Sequence, residues 1–535
     1  MSYLLRLSDR FKREWRTWDN RQQIKELAVF VKRTSPTTNQ KSPVIFFNAS
    51  TRLQGLSLNA AYALLSSYGI QLAGTSVIHF VCRRGLSRCV LGTNKNDIHS
   101  MPPCRDCISS SEGIYSLQGV QWFNYSENLD LRKEITYLNL GQLLVFVYQG
   151  VPLGEIILPS LRWILRRHNL VDDDATCFLA REYILSAFSL MLEFEKLLGV
   201  VYPQAVVVFN GMFYPEAIVR WVSKQKSIPV ITHEVGMQPF SAFFTYGDAT
   251  AYPVPLSEKF NLADRQNKRL DDYLVKRFQG DFITAGIKFW PEIHELGPEF
   301  WQKVSKFKQF VPVFTNVIFD TSQAHANVVF PHMFAWLDLV LQEIRKHPDT
   351  LFVIRAHPDE LRPGKESCES VAQWVEKNDV AKIDNVTFIH SNEMISSYEL
   401  IEHAKFVMVY NSTVGLEATI KGKPVLCAGK ARYTQVPTVY FPKTINEFKK
   451  TMRKFLKQSV IPVPQEFISN ARLVLYGQLF LASLPFSDFI ESDGVWNGFV
   501  RIKDFPFENL NSEKSTTIKT IVDGILRQRD FLLKP

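Results

Sequence analysis

FVMVYNSTVGLEATIKGKPVLC, residues 406–427, reads as one complete strand–helix–strand unit. Phe406–Tyr410 is a short apolar run of buried-strand type, Gly415–Lys421 has helical periodicity, and Pro424–Cys427 is a second apolar strand. Between the first strand and the helix stand Asn411, Ser412 and Thr413. In open α/β sheets ligands bind at the carboxyl ends of strands, and a helix start offers free N–H groups to a phosphate. Ser412 and Thr413 add hydroxyl donors, Gly415 allows close backbone approach, and Glu417, one turn in, can accept from ribose hydroxyls. An ordinary N-cap uses the same residue types, so this tripeptide needs support from elsewhere in the chain.

Working outward, the alternation continues on both sides. Upstream come strand Phe310–Phe314, helix His332–Lys346, strand Leu351–Arg355, helix Ser367–Lys377, strand Val386–His390 and helix Ser396–His403; helix Ile445–Lys457 follows. This is the pattern of a parallel sheet covered on both faces. A second, earlier series opens with strand Pro43–Asn48, helix Leu56–Tyr68 and strand Val77–Cys82, and returns at strand Ala205–Phe209, helix Pro215–Lys224 and strand Ile228–Thr232. The fold class expected is therefore α/β, with two Rossmann-type domains facing a central cleft and helices at the C-terminus. The divisions expected are a basic helical segment 1–40, a first domain 41–300, a second domain 301–460 and a helical segment 461–535 packing back across the junction, with a loop around Ser492–Asn511. The apolar window Leu138–Leu161 contains Gln142, Gln149, Gly150, Pro152, Gly154 and Glu155, poor material for a membrane span, and reads as a buried strand leading into a helix.

A second signal lies about fifty residues before Asn411, in Arg355-Ala356-His357-Pro358-Asp359-Glu360. Pro358 biases His357 towards an extended conformation at a strand end, from which it can donate to a phosphate or a sugar carboxylate, with Arg355 beside it. A His-Pro turn with no function looks the same in isolation; two polar strand ends in one sheet support each other. In the first domain the strands end in Asn210-Gly211 and His233-Glu234. Neighbours on an extended chain point in opposite directions, so only one of His233 and Glu234 need face a cleft.

The stretch RAHPDE, followed by SSYELIEHAKFVMVYNSTVGLEATIKGKPV, resembles the capsule polysaccharide biosynthesis family, which includes Kdo-transferase-like enzymes. The resemblance covers roughly Val311–Thr438, and VVVFNG and ITHEVG are similar to the first half of relatives more sparsely. It implies a glycosyltransferase of the two-domain GT-B type that builds a bacterial capsular or other surface polysaccharide. Arg355, His357, Asn411, Ser412, Thr413, Gly415 and Glu417 would then line the donor site. The first domain would supply acceptor contacts at Asn210 and Gly211. Catalytic candidates are His357, Glu234, His233 and, on the donor side, Asp320. The loop Thr315-Asn316-Val317-Ile318-Phe319-Asp320 lacks the Gln-Pro pair of the Kdo-transferase members, which leaves the donor sugar open. Partners implied are a nucleotide-sugar donor and a glycan or lipid-linked glycan acceptor, not nucleic acid. Charge on the leaving phosphate would be met by dipoles and cations, with no cofactor required for catalysis. A nucleotide-sugar epimerase of the same fold and a non-catalytic glycan-binding or assembly protein are the alternatives.

Composition agrees with a folded protein of two domains: 535 residues, 46% hydrophobic and 21% charged. A formal net charge of +9 fits nucleic acid, anionic lipid and phosphorylated substrates alike. No G-x-x-x-x-G-K-[ST] loop and no G-x-S-x-G elbow occurs. The first residues, MSYLLRLSDRFKREWR, lack the continuous apolar core of a secretory signal, so a cytoplasmic location is expected. Residues 1–33 hold nine Lys/Arg against four acids, with Leu4, Leu7, Phe11, Trp15 and Trp18 at helical spacing. That pattern suits peripheral contact with the cytoplasmic face of the inner membrane, and equally a helix packed on its own domain. Seven cysteines point to a reducing compartment. Four of them, Cys82, Cys89, Cys104 and Cys107, fall close together and form a candidate structural zinc site, although the six-residue gap from Cys82 to Cys89 is unusual for one.

Overall fold

The computed structural model describes residues 3–36, 42–49, 55–115, 117, 119–256, 261–279, 294–495 and 498–534, with side chains from Glu14 onward. The strands in chain order are β1 (Val44–Asn48), β2 (Leu56–Ser57), β3 (Val77–Cys82), β4 (Val120–Phe123), β5 (Ala205–Phe209), β6 (Val230–Val235) and β7 (Ser241–Thr245). Then follow β8 (Gln309–Phe314), β9 (Thr350–Arg355), β10 (Val386–Ile389), β11 (Val407–Val409) and β12 (Val425–Cys427). The tail contributes β13 (Leu484–Pro485), β14 (Ile490–Ser492) and β15 (Phe499–Ile502).

The larger sheet runs β13-β7-β6-β5-β1-β3-β4, and β4, β3, β1, β5 and β6 are mutually parallel. The second sheet runs β10-β9-β8-β11-β12, all parallel. Renumbered within each unit, both parallel sets have the order 3-2-1-4-5, the Rossmann order. Both sheets are buried on both faces, which is why their strands read as continuous apolar runs. Alternate residues serve opposite cores: Val44 and Phe46 of β1 face one cluster, Ile45 and Phe47 the other. In β8, Val311 and Val313 are divided in the same way from Phe310 and Phe314.

Helix Asp264–Phe278 already belongs to the second unit, since Leu270 and Leu274 share a core with Phe310 and Leu351. The tail packs across the junction. Helix Gln465–Tyr476 lies on helix Val414–Ile420, β13 pairs antiparallel with β7, and helix Thr516–Arg527 packs on helix Leu58–Leu72. There a Cβ on Gly69 would stand 2.5 Å from Ile518, so only glycine permits the approach. The region expected as a loop around Ser492–Asn511 instead holds β15, which pairs with β14 and with β2. Its signal is faint because the strands are only two to four residues long.

Leu138–Leu161, expected as a strand entering a helix, forms helix Leu140–Leu144, a Tyr148–Val151 bridge and helix Leu153–Leu165. A capping box explains the first: Asn139 and Gln142 each satisfy the other's backbone N–H. Among the described residues one helix, Asp174–Leu198, is long and apolar enough to cross a membrane, but 78% of its most apolar window is buried inside the protein. The first helix, Tyr3–Thr34, buries Ile24, Leu27, Ala28 and Val31 in the first core, while Trp15 and Trp18 stay 59% and 58% exposed. The side chains of Leu4, Leu7 and Phe11 lie outside the described residues.

Candidate functional site

The strand order of the second sheet reverses between β8 and β11, which opens a crevice at their carboxyl ends. Two adjoining cavities of about 330 and 430 Å³ occupy it. Both are lined by His357, Asp359, Ser412, Thr413 and Arg432. The smaller adds Asn316, Asp320, His325, Asn411 and Lys430, and reaches Thr250 and Pro253 of the first unit. The larger adds Arg277, Arg355, Tyr398 and Glu417. Together they have the size of a small-molecule site.

His357 follows β9 by two residues and caps the next turn, where its Nδ1 accepts from the Asp359 N–H at 3.1 Å. Burial lowers its pKa against the opposing pull of Asp359 and Asp320. A neutral imidazole that accepts at Nδ1 carries its proton on Nε2, so the cavity receives an N–H donor. Arg355 is 4% exposed, donates to the His390 carbonyl at 2.8 Å, and keeps Nε without a protein partner. Burial pushes its pKa down to about 10. Asn411 is pinned from both sides, its N–H on Asn316 Oδ1 and its Oδ1 on Gln323 Nε2. Arg432 adds a guanidinium stacked 4.4 Å over the Tyr252 ring of the first unit.

Two expectations in this loop change. Gly415 is buried, and a Cβ there would stand 2.5 Å from the Tyr433 hydroxyl. The glycine thus lets the helix close onto Tyr433 and β11, not onto a ligand. Glu417 is 3% exposed and both its oxygens are taken, by Arg277 Nε and the Tyr398 hydroxyl at 2.6 Å each. The carboxylate read as a ribose acceptor instead holds an arginine and a tyrosine in the cavity wall. Burial alone would lower the Arg277 pKa, but Glu417 beside it raises it. Arg277 and Tyr398 lie 140 and 19 residues from Glu417 in the chain, and nothing in their local sequence marks them.

Across the crevice, β6 sends its two candidates in opposite directions. Glu234 accepts from Asn210 Nδ2 at 2.9 Å, from Asn59 Nδ2 at 3.5 Å and from the Val235 N–H at 2.9 Å. Burial raises its pKa, and Asp320 of the second unit adds to the rise. The Asp320 carboxylate thus acts on both His357 and Glu234, which places it between the two walls of the cleft. His233 does not join them: it is 2% exposed, stacked on Phe244, and held neutral by burial, its pKa pushed down to about 3. Asn210 orients Glu234 from a left-handed backbone (φ 56°), and Gly211 follows at φ 81°. A Cβ on Gly211 would meet Arg220 at 2.8 Å, so the turn demands glycine.

Cys82, Cys89, Cys104 and Cys107 line one cavity as free thiols. Among the described residues, however, no group of three or more His, Cys, Asp or Glu is placed to hold a metal ion, so the zinc ligand set is not assembled. The sulfurs of Cys82 and Cys89 accept from the Gly85 and Gly92 N–H groups instead.

Residues 298–455 match the family model for capsule polysaccharide biosynthesis proteins. The matched stretch holds Asn316, Asp320, His357, Asn411–Glu417 and Arg432. FixF of Sinorhizobium fredii (strain NBRC 101917 / NGR234) is 28% identical over 238 residues, 43% of this chain and 49% of that protein. The chain thus spans about half the length of that relative. Among solved structures, the KpsC beta Kdo 2,7 transferase of Thermosulfurimonas dismutans is 18% identical over 63% of this chain and 90% of its own, with a TM-score of 0.32. The UDP-GlcNAc 2-epimerase of Neisseria meningitidis, bound to UDP-GlcNAc, is 12% identical over 82% and 98%, with a TM-score of 0.25. Likenesses this distant add nothing to the fold read from the sheet order above.

Proposed function

We propose that this protein is a GT-B glycosyltransferase that moves a sugar from a nucleotide donor to a glycan during synthesis of a bacterial surface polysaccharide. The observation that carries the reading is the pair of cavities at the β8/β11 crevice, joined where His357 Nε2–H, Arg432 and the Ser412 and Thr413 hydroxyls meet. Such a junction suits the phosphate of a nucleotide sugar. The nucleotide fits the cavity walled by Arg277 and Tyr398; the glycosyl group fits the one walled by Asn316, Asp320 and Lys430. As the glycosidic bond to phosphate breaks, His357, Arg432 and Lys430 offset the charge that develops on the leaving oxygen. This assigns the charge to side chains, so turnover is expected to survive chelation of divalent metals. Glu234, oriented by Asn210 and Asn59 and raised in pKa, takes the proton from the acceptor hydroxyl.

The acceptor is a glycan, lipid-linked in the cell, and the site of action is the cytoplasmic face of the inner membrane. The exposed Trp15 and Trp18 on the basic first helix support that placement. The test is incubation of purified protein with CMP-, UDP- and GDP-sugars, following nucleotide release and protection against melting. Release stimulated by added glycan is expected for one donor. Conversion of a donor to its epimer without any acceptor would favour an epimerase, and no response to any donor would sink both readings.

A further inference from the structure

The first sheet has its own switch point, between β1 and β5, and a small pocket of about 50 Å³ sits there. Its walls are apolar, among them Phe47, Leu86, Val90 and Phe213. Three polar groups nonetheless line it, and the carboxyl of one, Glu216, is bonded to its own backbone N–H. Glu216, on helix Tyr214–Gln225, is 6% exposed, and its carboxyl makes no hydrogen bond to any other described residue. His233 Nδ1 and Asn59 Oδ1 are buried and have no partner at all. An unmet buried imidazole nitrogen and amide oxygen each cost free energy, and native interiors rarely keep such groups together beside a buried carboxyl without a ligand or water to join them.

We infer that this pocket is an acceptor subsite that receives a hydroxyl-bearing arm of the acceptor sugar and that Glu216 is its recognition group. The inference rests on the glycosyltransferase reading for its name, not for its geometry. At the 10–15 Å³ needed by one water, the pocket has room for roughly three or four non-hydrogen atoms, which suits an exocyclic hydroxymethyl group and excludes a pyranose ring. Asn59 ties the pocket to the cleft, because its Nδ2 donates to Glu234 while its Oδ1 faces inward. A sugar whose arm enters the pocket therefore lies beside Glu234. Burial pushes Glu216 up to about 8, so near neutral pH it is a carboxylic acid that both donates to and accepts from a hydroxyl. An anionic arm meets no cation on these walls.

Methyl glycosides that differ only in the arm test this directly: methyl β-D-galactopyranoside against methyl α-L-arabinopyranoside, and methyl glucoside against methyl xyloside. Binding to the full-length protein is read by saturation-transfer NMR, with no donor present. One hexoside is expected to bind about tenfold more tightly than its pentoside, the effect of one buried hydrogen bond. Its C6 protons should carry the strongest transfer. Glu216→Leu should abolish the difference, while Glu216→Gln keeps most of it. Neither variant should lower the melting temperature, since a buried carboxyl bonded to its own N–H contributes little to packing. Equal binding of each pair, absence of binding, or a difference that survives Glu216→Leu would overturn the inference. Arm-dependent binding without turnover on any nucleotide sugar would instead retire the transferase reading and leave the subsite standing.

Discussion

Replacing Glu417 with alanine removes the carboxylate that joins Arg277 and Tyr398. The side chains of Glu417 and Arg277 are only 4% and 14% exposed, and the Glu417–Arg277 bond is 2.6 Å long. Alanine would leave the buried guanidinium without its counter-charge, its Nη1 still donating to the Tyr273 hydroxyl at 3.3 Å. Breaking one side of a buried ion pair costs about 3–5 kcal/mol, and the neutral Tyr398 bond adds about 1 kcal/mol. For a unit of this size each kcal/mol moves the melting temperature by roughly 2–4 °C, so a fall on the order of 10 °C is expected. Glu417→Gln keeps an acceptor oxygen but loses the charge, and should fall by an intermediate amount. Differential scanning calorimetry of the full chain reads both, in the transition that nucleotide shifts. Should Glu417→Ala melt like the parent and merely lose protection by nucleotide, the carboxylate serves the ligand after all, and the account of the cavity wall given above is wrong.

His357→Ala should lower turnover by about a hundredfold while changing donor affinity much less, because its Nε2–H acts on charge that develops in the transition state. Full specific activity in the folded fraction would reduce His357 to a turn residue. Stability should depend on pH with a worked sign: burial pushes Glu216 and Glu360 up to about 8 from 4.5 and holds His168 and His233 down to about 3 from 6.5. The carboxyls lose their contribution as pH rises towards 8, and the imidazoles lose theirs as pH falls below 6.5. Between 4.5 and 6.5 the carboxyl and imidazole slopes oppose each other. Above that the carboxyl slope stands alone at about 1.4 kcal/mol per pH unit for each group. Melting temperatures from scanning fluorimetry should drop as pH rises from 6.5 to 8; a rise there would contradict burial of these carboxyls. Trp15→Ser with Trp18→Ser should weaken flotation with anionic vesicles without altering the melting temperature, whereas unchanged flotation would remove the membrane from the proposal. Deleting residues 1–33 is the wrong test, since Ile24, Leu27 and Val31 belong to the core.

By itself the sequence determined the two Rossmann-type units. Strands such as AVVVF and VIFFN are buried on both faces, so each announces itself as a short β-branched or aromatic run, and the polar residues that end it mark a ligand-facing edge. It also determined, through the period-2 rule, that His233 and Glu234 must part company. The side that each took was a matter of tertiary packing, because Asn59 and Asn210 arrive beside Glu234 from elements 175 and 24 residues away. Glu417 could be read as a cavity carboxylate but not as a paired one, since its partners come from separate helices. Glu216 illustrates the limit most plainly. In YPEAIVRW it looks like any glutamate in the first turn of an amphipathic helix, and only the packing of that helix over the β1/β5 switch point buries it. Burial of a charge is a property of the surroundings a residue acquires on folding; neither its own identity nor the spacing of its neighbours along the chain contains it.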